Sequence, residues 1–144
     1  MTPKAHLRVA LVALLSIMPG LAILACAQSS CGDFLAILHK KDSHLEFLGC
    51  KRRADLQGQP EEASYRVEGR RAAEVEDSLT KEFGIERLHR TCCVWESMQN
   101  SFRDKRARIF VISVSTDETK VDRRDHWAAI SYFYVKVDRY LKAP

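Results

Sequence analysis

The segment ARIFVISVS, residues 107–115, carries the strongest fold signal in the chain. Most of its residues are β-branched or aromatic, as is typical of β-strands. Apolar residues occupy neighbouring positions as well as alternate ones, which favours burial on both sides. We therefore predict a central strand that is covered on both faces of a sheet.

The last part of the chain, residues 129–141, predicts a second long strand. Its apolar and polar residues alternate with a period of two, which assigns them to opposite faces. The set expected to face the core is Phe133, Val135, Val137 and Leu141. The opposite set contains Tyr132, Tyr134 and Tyr140, and amphipathic aromatic residues are favoured in protein interfaces. These tyrosines are a candidate binding face, the alternative being that they pack against neighbouring strands or a second helix.

Two helices are predicted upstream of these strands. A short one covers residues 34–38, with Asp33 at its N-terminus, where a negative charge is favourable. In the longer one Ala72, Val75, Leu79 and Phe83 recur at helical spacing on one face. Gly84 follows where a C-terminal cap would stand.

Alternating patterns predict three more strands, at residues 45–50, 63–67 and 85–96. Residues 98–106 are polar and basic and predict a connecting loop. The order helix, strand, strand, helix, strand, strand, strand is typical of an α+β domain. We expect a mainly antiparallel sheet of about five strands with two helices packed on it. The length of 144 residues, with 46% apolar and 29% charged residues, fits one globular domain and excludes a low-complexity or disordered chain.

The N-terminal region has the pattern of a secretory signal peptide. Lys4, His6 and Arg8 precede a mostly apolar run at residues 9–25. We predict a signal peptide at residues 1–27, a mature domain at 28–144, and no membrane span after processing. Two cleavage routes remain open at this point. Ordinary signal peptidase would give a periplasmic or secreted protein, whereas lipobox-like processing would give an outer-membrane lipoprotein anchored at Cys26.

The cysteines predict a disulfide-bonded scaffold. Either processing route removes Cys26 from pairing and leaves Cys31, Cys50, Cys92 and Cys93. In an oxidising compartment, four cysteines in a small domain indicate two disulfides. Adjacent cysteines rarely reach disulfide geometry. We therefore expect Cys31 and Cys50 to pair crosswise with Cys92 and Cys93, with the connectivity left open.

Two other roles for the cysteines are weaker alternatives. Zinc binding by His89 with Cys92 and Cys93 lacks the usual Cys-x-x-Cys spacing. A nucleophilic cysteine needs a free thiol of low pKa, which export disfavours. We expect no metal and no cofactor.

Several short motifs together resemble a known family. They are Cys31-Gly32-Asp33-Phe34-Leu35, Gly49-Cys50, Tyr65-Arg66-Val67, Cys92-Cys93-Val94-Trp95-Glu96 and Tyr132-Phe133-Tyr134-Val135. The pattern resembles a family of small exported bacterial proteins described as a domain of unknown function. The resemblance implies an exported disulfide domain over nearly all of the mature chain. It implies no activity, ligand or catalytic residue.

The sequence carries no catalytic signature that fixes a reaction. Phosphate-loop, dinucleotide-turn, nucleophile-elbow and zinc-helix motifs do not occur in it. The net charge of +4 includes Lys4 and Arg8 of the predicted leader. The mature domain therefore carries too little positive charge to predict a nucleic-acid partner. We expect a non-enzymatic periplasmic module that binds a protein partner in the cell envelope, of the inhibitor or immunity type. The alternatives are a small envelope hydrolase and the Cys26-anchored lipoprotein, and the oligomeric state stays open.

Overall fold

The computed structural model describes residues 31–141. The predicted signal peptide, including Cys26, lies outside the described residues. A seven-stranded antiparallel sheet has the order β1-β2-β7-β6-β4-β3, and β5 pairs with β6 beside this path. The elements are α1 (Phe34–Ile37), β1 (Glu46–Arg52), β2 (Glu61–Glu68), α2 (Ala72–Phe83), β3 (His89–Thr91), β4 (Val94–Glu96), β5 (Asn100–Arg103), β6 (Ile109–Thr116) and β7 (Tyr132–Tyr140).

The predicted α+β class and the antiparallel sheet are confirmed, and the number of elements is corrected. The sheet has seven strands where about five were expected. One extra strand arises because the segment 85–96 folds back on itself as β3 and β4, and the other because β5 forms within the predicted loop at 98–106. α2 is the one main helix of the described part, since α1 spans only one turn.

Helix α2 forms as its apolar spacing predicts. All four residues of the predicted face, Ala72, Val75, Leu79 and Phe83, are buried. Gly84 ends the helix in the left-handed conformation, at φ +68°, and its N–H donates to the Thr80 carbonyl at 2.9 Å. Glycine adopts this conformation without the penalty of a Cβ.

The helical segments contact one face of the sheet, which we call the inner face. The helical segments are α1, α2 and a 3-10 helix at Arg124–Ala129. Each of them packs on that face through an aromatic contact. The ring contacts are Phe34 with Phe110 at 5.8 Å between centroids, Phe83 with Phe102 at 4.8 Å, and Trp127 with Phe133 at 4.9 Å. Within residues 31–141, these contacts place the core on the inner side and leave the outer side without such a layer.

One-sided coverage corrects the prediction for β6. Its inward residues are buried, whereas Ile109, Val111, Ser113 and Ser115 on the outer side are only half-buried. The strand is therefore not covered on both faces as expected. Ser113 and Ser115 fit this outcome, because a serine side chain tolerates water on the side that the sequence predicts to be buried.

In β7 the alternation is confirmed and its end is corrected. Phe133, Val135 and Val137 are buried, but Leu141 follows the strand and is 51% exposed. The fourth inward position belongs instead to Arg139, which pairs with buried Glu61 on β2. Its guanidinium also lies 4.6 Å from the centre of the Phe34 ring.

A buried carboxylate joins α2 to the segment before β3 and to the 3-10 helix. Glu76 is 2% exposed and accepts hydrogen bonds from the Leu88 N–H at 2.6 Å, from Arg124 at 2.7 and 2.9 Å, and from Arg87 at 2.9 Å. The Arg124 guanidinium also stacks 4.6 Å from the Trp127 ring centre. Burial by itself raises the pKa of Glu76. The hydrogen bonds together lower the pKa by a larger amount, so it lies below its ordinary value.

We expect Glu76→Ala to lower the free energy of unfolding by about 2–3 kcal/mol, because it leaves a buried N–H unpaired and releases Arg124. Glu74→Ala on the exposed side of α2 is the matched control and should cost at most about 0.5 kcal/mol. Urea unfolding followed by circular dichroism measures both. Because the folded pKa of Glu76 is depressed, its contribution is present above pH 4.5 and is lost as the pH falls through the folded pKa. Equal losses in the two variants would contradict this role.

Candidate functional site

The outer face of the sheet, which no helical segment of the described residues covers, carries the predicted tyrosines. Two adjacent strands supply its central rows. Paired residues across an antiparallel ladder share a face, so the ladder register fixes their neighbours. The rows are Tyr132, Tyr134, Lys136, Asp138 and Tyr140 on β7, opposite Glu68, Arg66, Ser64 and Glu62 on β2.

At one end of this face an arginine is held against a tyrosine ring. The Arg66 guanidinium lies 4.5 Å from the centroid of Tyr132, which is a cation–π distance. Its other side donates two hydrogen bonds to the Glu46 carboxylate, at 2.7 and 3.0 Å. These hydrogen bonds lower the pKa of Glu46. Glu46 on β1 therefore fixes the orientation of Arg66, a β2 residue, beside the Tyr132 ring of β7.

An open groove of about 410 Å³ surrounds this arrangement, and we call it the Tyr132 groove. Its lining carries charges of both signs. The lining residues are His44, Glu46, Arg66, Val67, Glu68, Arg70, Arg71 and Tyr132. Tyr132 also lines two adjoining depressions, one with Ile130 and Ser131 and one with Asp117 and Tyr134. Tyr132 thus lines three surface depressions.

The three predicted tyrosines do not form one continuous surface. Tyr134 lies beside Asp117, and burial, followed by the charge of Asp117, raises the pKa of its phenol. Tyr140 packs on the Gly58 turn, where an added Cβ would come within 3.1 Å of its ring carbons. Tyr140 lies six positions along the strand from Tyr134, which is about 20 Å. Tyr132 and Tyr134 are neighbours on the outer face, and Tyr140 is a packing residue at its far end.

Sequence reasoning missed a pair of carboxylates in the middle of the outer face. Asp138 on β7 lies opposite Glu62 on β2, and Glu62 is held by Arg53 at 2.7 Å and by Lys51 at 3.6 Å. One carboxylate oxygen of Asp138 is buried without a hydrogen-bond partner. Burial and then the charge of Glu62 raise the pKa of Asp138. Only the register of β2 against β7, which a single sequence does not give, brings the two acids together.

We predict that Asp138→Asn stabilises the protein at pH 7 by about 1 kcal/mol, since a neutral amide can donate to Glu62 and no longer places a second charge there. The folded pKa of Asp138 is raised above its ordinary value of 3.8. The contribution of Asp138 to the free energy of unfolding should therefore fall as the pH rises from 3.8 through the folded pKa, so the stability that the variant gains over the natural protein should grow across that range. Thermal unfolding from pH 3 to 8 measures it, with exposed Asp122→Asn as control. A variant less stable than the natural protein at pH 7 refutes the prediction.

The disulfide prediction is correct in kind and wrong in its pairing. Cys31 is bonded to Cys50, whereas Cys92 and Cys93 are free thiols. The crosswise arrangement fails because Cys50 lies on β1, at one edge of the sheet, and Cys92 and Cys93 lie between β3 and β4, at the other edge. Strands are spaced about 4.8 Å apart and five spacings separate β1 from β3, so the edges are about 24 Å from each other.

Cys92 and Cys93 form a two-residue turn and not part of a continuous strand. Thr91 pairs with Val94, and Cys92 has the left-handed φ of +53°. A continuous strand would point the two side chains to opposite faces, as expected from the sequence. The turn instead brings their Sγ atoms to 2.9 Å. Asn and Gly mark most such turns, so the sequence offered no signal for this one.

We expect loss of the Cys31–Cys50 bond in the double variant Cys31→Ala/Cys50→Ala to lower the free energy of unfolding by about 3 kcal/mol. The bond joins positions 19 residues apart, and closing a loop of this size removes that much chain entropy from the unfolded state. The double variant Cys92→Ser/Cys93→Ser on the exposed turn is the control and should change stability by less than about 0.5 kcal/mol. Urea midpoints under non-reducing conditions compare them. A larger loss of stability in the control would show that Cys92 and Cys93 stabilise the fold more than the Cys31–Cys50 bond does.

Within residues 31–141 no group of three or more His, Cys, Asp or Glu side chains is placed to hold a metal ion, so His89 does not complete a zinc site with the two free thiols. Across the same residues no helix has the length and apolar character to cross a membrane. The Cys31–Cys50 disulfide is consistent with an extracellular protein.

Comparison with known proteins shows a family match. The model of a domain of unknown function, DUF4952, matches residues 21–95. No curated protein and no solved structure matches the chain. The matched range includes all four cysteines of the described part and ends at Trp95, within β4. The motif Tyr132-Phe133-Tyr134-Val135 lies beyond it, so the likeness covers less of the mature chain than expected.

Proposed function

This chain belongs to the DUF4952 family, and from that premise we propose that it is a non-enzymatic module that binds a protein partner in the cell envelope through the Tyr132 groove. Inhibitors and immunity proteins are modules of this kind. The observation that carries the proposal is the arginine fixed between a carboxylate and a tyrosine ring on an open sheet face. Tyrosine and arginine are the residue types that most often dominate binding energy in protein interfaces.

The arrangement supports binding because it is already ordered. Two hydrogen bonds from Arg66 to Glu46 hold the guanidinium, and the rigid sheet holds Tyr132. A partner that contacts both groups would lose little side-chain entropy to their ordering, so more of the contact energy would appear as affinity. Tyr132 is half-buried, which leaves part of its surface to be covered by a partner.

The charges of the groove favour a protein over a polyanion. Arg66 is paired with Glu46, Arg70 with Glu68, and Arg71 with Glu74. A phosphate backbone would need several cations without such partners, because its affinity arises from neutralised phosphates. A protein surface with alternating charges complements a groove of both signs, and such complementarity sets specificity and association rate.

A small envelope hydrolase is the alternative, and the outer face supports it less well. Hydrolysis by carboxylates needs acid and base groups that converge on an enclosed substrate. The Glu62 side chain is engaged by Arg53 and Lys51, and the depression beside it is an open one lined by Leu48 and Ser64.

The proposed location is the periplasm. Cleavage after Ala27 would release the domain with its disulfide, whereas processing at Cys26 would keep the same domain on the outer membrane. In both cases the Tyr132 groove would face other proteins of the envelope. The two forms would therefore differ in whether the domain is anchored to the membrane, and not in the surface that it uses for binding.

Site-directed photocrosslinking in the producing cells tests the binding proposal. A photo-reactive phenylalanine analogue replaces Tyr132, Tyr134 or, as matched control on the same strand, Tyr140. We expect adducts of one defined mass at positions 132 and 134, and none at 140, because Tyr140 packs on the Gly58 turn.

The partner identified in this way is then purified and its affinity measured by calorimetry. Tyr132→Ala should weaken Kd about 30-fold, which corresponds to the roughly 2 kcal/mol of a hot-spot residue. Tyr140→Ala should leave Kd unchanged. Equal adducts at all three positions, or an unchanged Kd for Tyr132→Ala, would refute the groove as the binding site.

A further inference from the structure

The free thiols lie at the tip of the β3–β4 hairpin, remote from the edge that carries the disulfide. We propose that Cys92 and Cys93 form a thiol–disulfide exchange site, which closes into a vicinal disulfide at the expense of a low-molecular-weight disulfide and reopens with the corresponding thiol. This inference is independent of the Tyr132 groove and of what binds there.

The geometry of the turn supports ring closure. The two Sγ atoms are 2.9 Å apart, whereas a disulfide bond is about 2 Å long. Less than about 1 Å of approach therefore separates the two thiols from a bond. The left-handed φ of Cys92, +53°, is what turns both side chains to the same side of the hairpin. The Cys92 side chain is exposed, so a small disulfide can reach it without opening the fold.

The hairpin assigns different roles to the two sulfurs. The carbonyl of Cys93 accepts a hydrogen bond from the Thr119 N–H at 2.7 Å, and Arg90 donates to the Thr119 carbonyl at 2.9 Å. Cys93 is thereby held in place and half-buried, whereas Cys92 stands free at the tip. The hydrogen bond to Cys92, followed by burial, raises the pKa of the Cys93 thiol. These features make Cys92 the attacking sulfur and Cys93 the resolving one.

The exchange needs two displacements. The Cys92 thiolate attacks one sulfur of the small disulfide, which forms a mixed disulfide and releases one thiolate. The Cys93 thiolate then attacks Cys92 Sγ, which forms the Cys92–Cys93 bond and releases the second thiolate. The two protons of the cysteines pass to the two leaving groups. In total, two protein thiols are oxidised and one small disulfide is reduced to two thiols, and the reverse sequence reopens the ring.

The two sulfur pairs of the chain should differ in how easily they are reduced. The Cys31–Cys50 bond joins the segment before α1 to strand β1 and closes a loop that the folded structure keeps in place. A bond between adjacent residues confines a small ring within the backbone, which makes it more reducible. The Cys31–Cys50 pair is then a structural disulfide, and the Cys92–Cys93 pair is a site of reversible oxidation.

Redox titration with glutathione tests the proposal in the full chain carrying Cys26→Ala, so that the thiols counted belong to the turn. The protein is equilibrated with mixtures of reduced and oxidised glutathione, alkylated and digested with trypsin. Residues 91–103 contain no internal Lys or Arg, so both cysteines remain on one peptide, apart from Cys31 and Cys50. We expect that peptide to lose two hydrogens as glutathione becomes oxidised. Reduction of half of the Cys92–Cys93 bonds should need at least about tenfold less reduced glutathione than reduction of half of the Cys31–Cys50 bonds.

Single variants separate closure from ordinary thiol modification. Cys93→Ser should trap one glutathione on Cys92, whereas the protein with both cysteines should carry none at equilibrium. Cys92→Ser should react more slowly, since Cys93 is held and half-buried. Recovery of the peptide with two glutathione or two alkyl groups at every ratio would overturn the proposal. So would a midpoint equal to that of Cys31–Cys50.

Discussion

The whole structure depends on the pairing of strand β7 with two neighbouring strands at once. β7 is the last strand in the described chain, yet it lies between β2 and β6 and pairs with both of them along its length. Its inward residues complete the core under α1, α2 and the 3-10 helix, and its outward residues create the central row of the outer face. Because antiparallel neighbours share a face residue by residue, the same pairing that closes the core also places Tyr132 beside Arg66 and Asp138 beside Glu62.

This position of β7 also bears on the family match. The matched residues include β1, β2, α2 and β3, whereas the strand that covers the inner edge of β2 lies outside them. Residues 21–95 alone would leave β2 with an unpaired edge and α2 without much of its apolar partner surface. The folding unit is therefore larger than the matched segment. The candidate binding groove combines residues from inside the match, such as Arg66, with Tyr132 from outside it.

The sequence predicted those features that depend on local patterns. The spacing of Ala72, Val75, Leu79 and Phe83 was sufficient for α2, and the alternation at Phe133, Val135 and Val137 was sufficient for β7, because one buried face imposes one period. Features that depend on the partner strand were not predictable: the Glu61–Arg139 pair, the Glu62–Asp138 pair and the contact of Tyr132 with Arg66. The cysteines show the same limit, since the tight turn at Cys92 and the two distant sheet edges are properties of topology and not of spacing.

Amide hydrogen exchange across the full chain tests the central position of β7 most directly. If β7 is paired on both sides, the amides of Tyr134–Asp138 should exchange together with those of Ala63–Val67 and only through global unfolding. Exchange of the β7 amides within seconds under native conditions, while β2 stays protected, would show a strand at an edge. It would contradict both the closed core and the outer face described above.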